Sequence, residues 1–254
     1  MSNPNNEFAG KIAVVTGAGA GFGAAFCMRL ASAGASVAAL DIDEAAAQQT
    51  ADAITKAGGK AIAAACDVGD DDGVISTIGQ IAEKLGGVDI LINNAGLHSA
   101  EYNIGFVQLG VARSRRLFDV NIMGVINCTL ACRPFMAARG GGAILNISSI
   151  SGYGSGNGYG VSKLAVRGLT IAFSGEFAKD GIRVNAIAPG LIATDKIRAD
   201  FPPEFFDHFI TMQHVKRTGE VQDIVEAMMF LCSDRGGFIT GETLKVAGGT
   251  TLQI

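Results

Sequence analysis

The sequence predicts one α/β domain, a doubly wound parallel sheet with helices on both of its faces. Three observations predict it. Short apolar runs rich in β-branched residues alternate with longer segments of helical periodicity along the whole chain. These runs are apolar at successive positions, as strands buried on both faces must be. Six of them end in glycine or a polar residue, at the edge where open α/β sheets bind ligands. No linker or internal repeat divides the 254 residues. The whole chain, 1–254, is therefore expected to be one domain, with residues 1–9 as a flexible start.

The first strand, Lys11 to Thr16, stops at Gly17 and runs through Ala18, Gly19, Ala20, Gly21, Phe22 and Gly23 into a helical pattern. Strand, glycine loop and helix in that order let backbone N–H groups approach a phosphate, and the helix N-terminus adds partial positive charge there. The next strand, Ser36 to Leu40, ends in Asp41. A carboxylate at that place accepts hydrogen bonds from adenosine ribose hydroxyls and repels a 2′-phosphate. Like charges about 4 Å apart cost roughly 4 kcal/mol at an effective dielectric of 20. NAD is therefore expected rather than NADP. The alternative is that Asp41 or Asp43 caps the helix that starts near Glu44.

A third run, Lys60 to Cys66, leads into Asp67 and Val68, with Asp67 placed to meet an adenine edge. Asp70, Asp71 and Asp72 suit the start of the following helix electrostatically. The fourth strand, Asp89 to Ile92, precedes Asn93, Asn94, Ala95 and Gly96. A long helical region is then expected from about 106 to 138, with Asn121 inside it. The fifth strand, Ala143 to Ile147, feeds Ser148 and Ser149. A helix over 157–179 follows, then a strand from Ile182 to Ala188 that ends in Pro189 and Gly190. A looser segment, 195–219, is expected to act as a lid. A helix from Val221 to Cys232 and a strand from Glu242 to Val246 close the chain.

Composition narrows the function. A net charge of −4 and a pI near 5.4 argue against a nucleic-acid partner. The basic cluster from Arg113 to Arg116 reads as a solvated helix face. The five cysteines form no CxxC pair and no metal-ligand spacing, so no metal is expected and reduced thiols are. The start of the chain lacks a signal-peptide pattern, and no apolar run reaches spanning length. A cytoplasmic protein without a membrane partner is the expectation.

The richest stretch is Ser148 to Lys163. A helix starting near Asn157 puts Tyr159 and Lys163 one turn apart on one face. An ammonium about 5 Å from a phenol favours the phenolate by roughly 3 kcal/mol at an effective dielectric near 20. The tyrosine pKa would then fall from about 10 toward about 8, within reach of proton transfer near neutral pH.

Together these segments resemble the short-chain dehydrogenase/reductase family, in its compact branch. The residues that carry the resemblance are TGAGAGFG at 16–23, Asp67, NNAG at 93–96, Asn121, NISS at 146–149, YGVSK at 159–163 and PGLIAT at 189–194. They span nearly the whole chain in the family's order. The resemblance implies a Rossmann fold and hydride transfer between a nicotinamide and a carbonyl or alcohol. It makes Tyr159 the acid/base, Lys163 its activator and a ribose ligand, and Ser149 a donor to the substrate oxygen. Asn121 would hold a water, and Ile192 and Thr194 would anchor the carboxamide. The remaining cofactor contacts implied are Gly17, Gly21, Phe22, Gly23, Asp41, Asp67, Val68, Asn94, Ala95, Gly96, Pro189 and Gly190.

One departure stands out. The ten-residue step from Ser149 to Tyr159 is shorter than the family's usual one. Its loop carries glycine at 152, 154, 156 and 158, whose backbone freedom would allow a tighter path, and leaves Ser148 and Ser149 as rivals for the inward position. The phenylalanines at 201, 205, 206 and 209 either face the substrate or pack the lid onto the body. An apolar lid suggests a hydrophobic secondary alcohol or ketone. A 3-oxoacyl-thioester reductase and a non-catalytic NAD-binding sensor or scaffold are the alternatives. The resemblance also implies a homodimer or homotetramer.

Overall fold

The computed structural model describes residues 6–98, 101–154, 156–200 and 202–250. The chain runs β1 (Ile12–Thr16), α1 (Gly21–Ser32), β2 (Ser36–Asp41), α2 (Glu44–Lys56), β3 (Lys60–Ala65), α3 (Asp71–Leu85) and β4 (Ile90–Asn93). Helix α4 (Phe106–Phe118) passes through one π-helical turn, Asp119–Met123, into α5 (Gly124–Ala138). Then come β5 (Gly142–Ile147), a 3-10 turn (Ile150–Tyr153), α6 (Gly158–Glu176) and β6 (Ile182–Pro189). The last elements are α7 (Asp195–Asp200), α8 (Pro203–Met212), α9 (Val221–Cys232) and β7 (Thr243–Val246).

All the pairings are parallel, and the sheet order is β3-β2-β1-β4-β5-β6-β7. The winding reverses between β1 and β4, which opens a crevice at their carboxyl ends. Alternation along each strand sends neighbours to opposite faces. Ala13 and Val15 of β1 join a core with Phe26 and Leu30 of α1 and Met228 of α9. Val14 between them joins the other core, with Ile78 of α3, Cys128 and Cys132 of α5 and Phe177. Both faces are covered, as continuous apolar strands require.

The region 106–138 is mostly helical as expected, interrupted at Gly110 (φ +71°) in α4 and by the π turn that shifts the register at Asn121. Three expectations need correction. By length and hydropathy that region is long enough to cross a bilayer, contrary to the expectation that no run is. Its residues Val120, Cys128, Cys132 and Met136 nevertheless pack on the sheet. The start of the chain is anchored earlier than residue 10. Phe8 is buried in the core and its N–H donates to the Ala33 carbonyl at 2.9 Å. Finally, α6 ends at Glu176, and residues 178–180 form a separate 3-10 turn closed by Gly181 at φ +70°.

Candidate active site

The carboxyl edge of the sheet holds a cavity of about 560 Å³. Its floor is the glycine loop. Gly17 and Gly21 take φ of +62° and +54°, which only glycine adopts without strain. A side chain at Gly23 would put its Cβ 2.0 Å from the Gly17 carbonyl oxygen, so Gly23 lies beneath the loop instead of lining the cavity. Ala20, which precedes α1, supplies no side-chain cap, and the first turn holds no acid. The opening N–H groups of α1 thus lack an internal partner at the place where a phosphate would sit.

Asparagine stitches this loop to its neighbour. Thr16 Oγ1 accepts from the Asn94 and Ala95 N–H groups, both at 3.1 Å. The Asn94 side chain donates to the Thr16 and Gly17 carbonyls at 3.0 and 2.9 Å. Asn94 lines the cavity, but its amide is committed to holding the glycine turn.

The helix cap falls to Asp43 and not to Asp41. The Asp43 carboxylate accepts from the Ala46 N–H at 3.2 Å. The Asp41 carboxylate accepts from the Gly19 and Asp43 N–H groups at 2.8 and 3.0 Å and stands in the cavity wall. Asp67, Val68 and Ile42 also line the cavity. The expectation of a solvated face for Arg113–Arg116 fails at one residue: Arg116 Nη2 meets Asp67 Oδ2 at 3.0 Å and lines the cavity.

At the other end stand Ser149, Tyr159 and Lys163. Hydrogen bonding distinguishes the two serines, both of which line the cavity. The Ser148 hydroxyl is buried and donates to the Lys163 carbonyl at 2.9 Å. Ser149 lines the cavity beside it, its hydroxyl accepts from the Ser151 N–H at 3.1 Å, and its nearness to the Tyr159 phenol favours the phenolate. Lys163 Nζ donates to the Ile147 carbonyl at 2.8 Å and lies 5.8 Å from the Tyr159 ring centre. A Cβ at Gly96 would come within 3.4 Å of that ammonium, so the glycine leaves it room.

The expected fall in the Tyr159 pKa is reversed within the protein chain. Burial pushes the phenol above its ordinary value, and the nearby Ser149 hydroxyl offsets only part of this. Burial also pulls Lys163 down, to about 8. Desolvation works against both charged forms and outweighs their mutual attraction.

Asn121 does not line the cavity. Its side chain accepts from the Leu97 N–H at 2.7 Å and donates to the Leu97 carbonyl and Ser162 Oγ, both at 3.0 Å. It clamps the wall segment after β4 to α6, and the π turn is what aims it there. Pro189, Gly190, Ile192 and Thr194 line the opposite wall. A bridge from Ile192 to Gly219 holds that wall, and Thr194 Oγ1 accepts from Ile197 N–H at 3.3 Å.

The short loop is accommodated by one close approach rather than by glycine freedom. None of its described glycines takes a positive φ. Only at Gly152 would a Cβ meet backbone, 2.8 Å from the Lys163 carbonyl carbon, because the 3-10 turn lies directly on α6. In the lid segment, Phe205, Phe206 and Phe209 pack on one another, with Phe205 6.1 and 4.9 Å from the other two rings, and none lines the cavity. Phe201 lies outside the described residues. Ile197 is the apolar lid residue that does line it.

Comparison with known proteins places the chain in a family. Residues 17–251 match a family model described as enoyl-(acyl carrier protein) reductase. The 7alpha-hydroxysteroid dehydrogenase of Escherichia coli K12 is 34% identical over 98% of this chain and 97% of its own. The chain belongs to the short-chain dehydrogenase/reductase family.

Within the family, cis-4-hydroxycyclohexanecarboxylate dehydrogenase of Sinomonas cyclohexanicum is 37% identical, covering 96% of this chain and 98% of its own. A solved 7alpha-hydroxysteroid dehydrogenase, complexed with NADH and 7-oxo glycochenodeoxycholic acid, superposes with a TM-score of 0.91. That match covers 100% of both chains at 34% identity. Sequence reasoning missed Leu97, Ile42 and Arg116 as wall residues. Leu97 and Ile42 each directly follow a motif residue, which was a usable signal; Arg116 had none.

Proposed function

We propose that the protein is an NAD-dependent oxidoreductase that interconverts a hydrophobic secondary alcohol and its ketone. The observation that carries this reading is the grouping of Ser149, Tyr159 and the Lys163 ammonium in one cavity with the glycine loop and Asp41. When bound, the nicotinamide supplies the hydride acceptor, or in its reduced form the donor. Tyr159 takes the proton from the alcohol oxygen in oxidation and returns it to the carbonyl oxygen in reduction. Ser149 holds that oxygen through its hydroxyl. Lys163, still cationic at neutral pH, favours the phenolate and offers its remaining N–H bonds to ribose hydroxyls. Asn121 acts on the site by fixing the wall. Asp41 takes the adenosine ribose hydroxyls, and its charge disfavours a 2′-phosphate.

The relatives named above act on hydroxyls borne by saturated rings, which makes alicyclic secondary alcohols the first class to test. A panel of cyclic, aryl and steroid-like alcohols should show NAD reduction with at least one, at efficiency well above that with NADP. Equal efficiency with NADP would remove Asp41 from cofactor choice, and no turnover across the panel would remove the substrate class. Five buried free thiols fit a reducing compartment such as the cytoplasm.

A homo-oligomer belongs to the same reading. Val107, Val111 and Leu164 are 99%, 78% and 54% exposed along α4 and α6. Phe238, in the turn that precedes β7 at the edge of the sheet, is fully exposed. Apolar surface on two separate faces supports a dimer or tetramer. Light scattering at micromolar concentration should give a dimer or tetramer mass; a monomer would refute it.

A further inference from the structure

Arg116 reaches the cavity from α4, 49 residues along the chain from the acid it meets. The two acids of the nucleotide wall are held differently. Asp41 is bonded only by backbone N–H groups, Gly19 and Asp43. Asp67 is pinned at both oxygens, Oδ1 by the Gly69 N–H at 2.9 Å and Oδ2 by Arg116 Nη2 at 3.0 Å. Each oxygen keeps a lone pair. The surroundings on this wall are apolar, with Ile42, Val68 and Val120 among them.

An ion pair whose side chains are 42% and 34% exposed contributes little to stability. What it does achieve is orientation: a carboxylate bonded at both oxygens cannot rotate out to solvent. The turn beneath is shaped for the guanidinium. A Cβ at Gly69 would lie 3.1 Å from Arg116 Nη1 and 3.3 Å from Asp67 Oδ1.

We propose that Arg116 is a positioning residue that fixes the Asp67 carboxylate, so that its free lone pairs read the 6-amino edge of adenine. This rests on the NAD reading above. With the guanidinium turned to Asp67, the carboxylate meets the base as an acceptor-only group, which takes an exocyclic amine and rejects a carbonyl at the same position. Pairing with Arg116 also cancels the charge that a second bare carboxylate would present to the phosphates.

Hypoxanthine in place of adenine swaps that amine for a carbonyl, which makes the reduced hypoxanthine dinucleotide the probe. Dissociation constants for it and for NADH, by fluorescence titration without substrate, give a ratio for each variant. The wild type should favour NADH about tenfold. Asp67→Asn should abolish the preference. Arg116→Ala should cut it at least about threefold, Gly69→Ala should cut it in the same direction, and Arg116→Lys should restore most of it. A merely structural Arg116 would weaken both ligands equally and leave the ratio intact; that result overturns the proposal. So does an undiminished ratio in Asp67→Asn. A wild type that binds neither ligand overturns the NAD reading itself, and this proposal with it.

Discussion

Tyr159→Phe is expected to lower turnover by roughly two to four orders of magnitude, the range in which one positioned acid/base acts. The substitution keeps the ring and removes only the hydroxyl near Ser149, so NAD affinity should change little. Separating kcat from the cofactor dissociation constant checks this, and near-normal turnover would remove Tyr159 from the chemistry. The pH profile follows with a definite sign. Because burial raises the phenol's pKa, the protonated form prevails through neutral pH. Ketone reduction, which needs the acid, should be level there and decline in alkali. Alcohol oxidation needs the phenolate and should rise with pH. The rise should weaken above about 8, where Lys163 loses the charge that supports the phenolate. In Tyr159→Phe the rise should vanish; a flat wild-type oxidation profile from about pH 6 to 10 would contradict chemistry limited by this proton.

Gly23→Ala should nearly abolish NAD binding. The added Cβ would lie 2.0 Å from the Gly17 carbonyl oxygen and 2.7 Å from the Asn94 amide nitrogen. Neither can yield cheaply, since one is backbone and the other holds the turn. Helix α1 must move away from the glycine loop, and the N–H groups that would meet a phosphate move with it. Overpacking of this kind costs about 1–3 kcal/mol, a fall of several degrees in Tm. Gly156→Ala is the control: nothing lies within 4 Å of its Cβ, so affinity and Tm should both hold. Calorimetric titration and thermal melting read both variants, and wild-type affinity in Gly23→Ala would show that the loop does not hold the dinucleotide.

Much of the molecule was legible beforehand, for reasons that are local. Period and β-branching define the strands, and glycine or an acid at a strand end marks the ligand edge whichever strands turn out to be neighbours. Asn94 shows where this stops. Its motif was visible, but its amide serves the glycine turn, because β4 pairs with β1 and brings the two loops together.

By itself, then, the sequence determined the doubly wound class and pointed to the carboxyl edge, its glycine loop and the Tyr159–Lys163 pair. Each signal is local, a run, a strand end or an i, i+4 pair, repeated along the chain. Only the tertiary structure decided that the Ser148 hydroxyl is committed to the Lys163 carbonyl, that Arg116 crosses to Asp67, and that Phe205, Phe206 and Phe209 pack on one another. It also decided the direction in which Tyr159 and Lys163 titrate. A pairwise charge estimate favoured the phenolate, but the penalty of burial depends on every element packed around the pair, and no spacing along the chain records that.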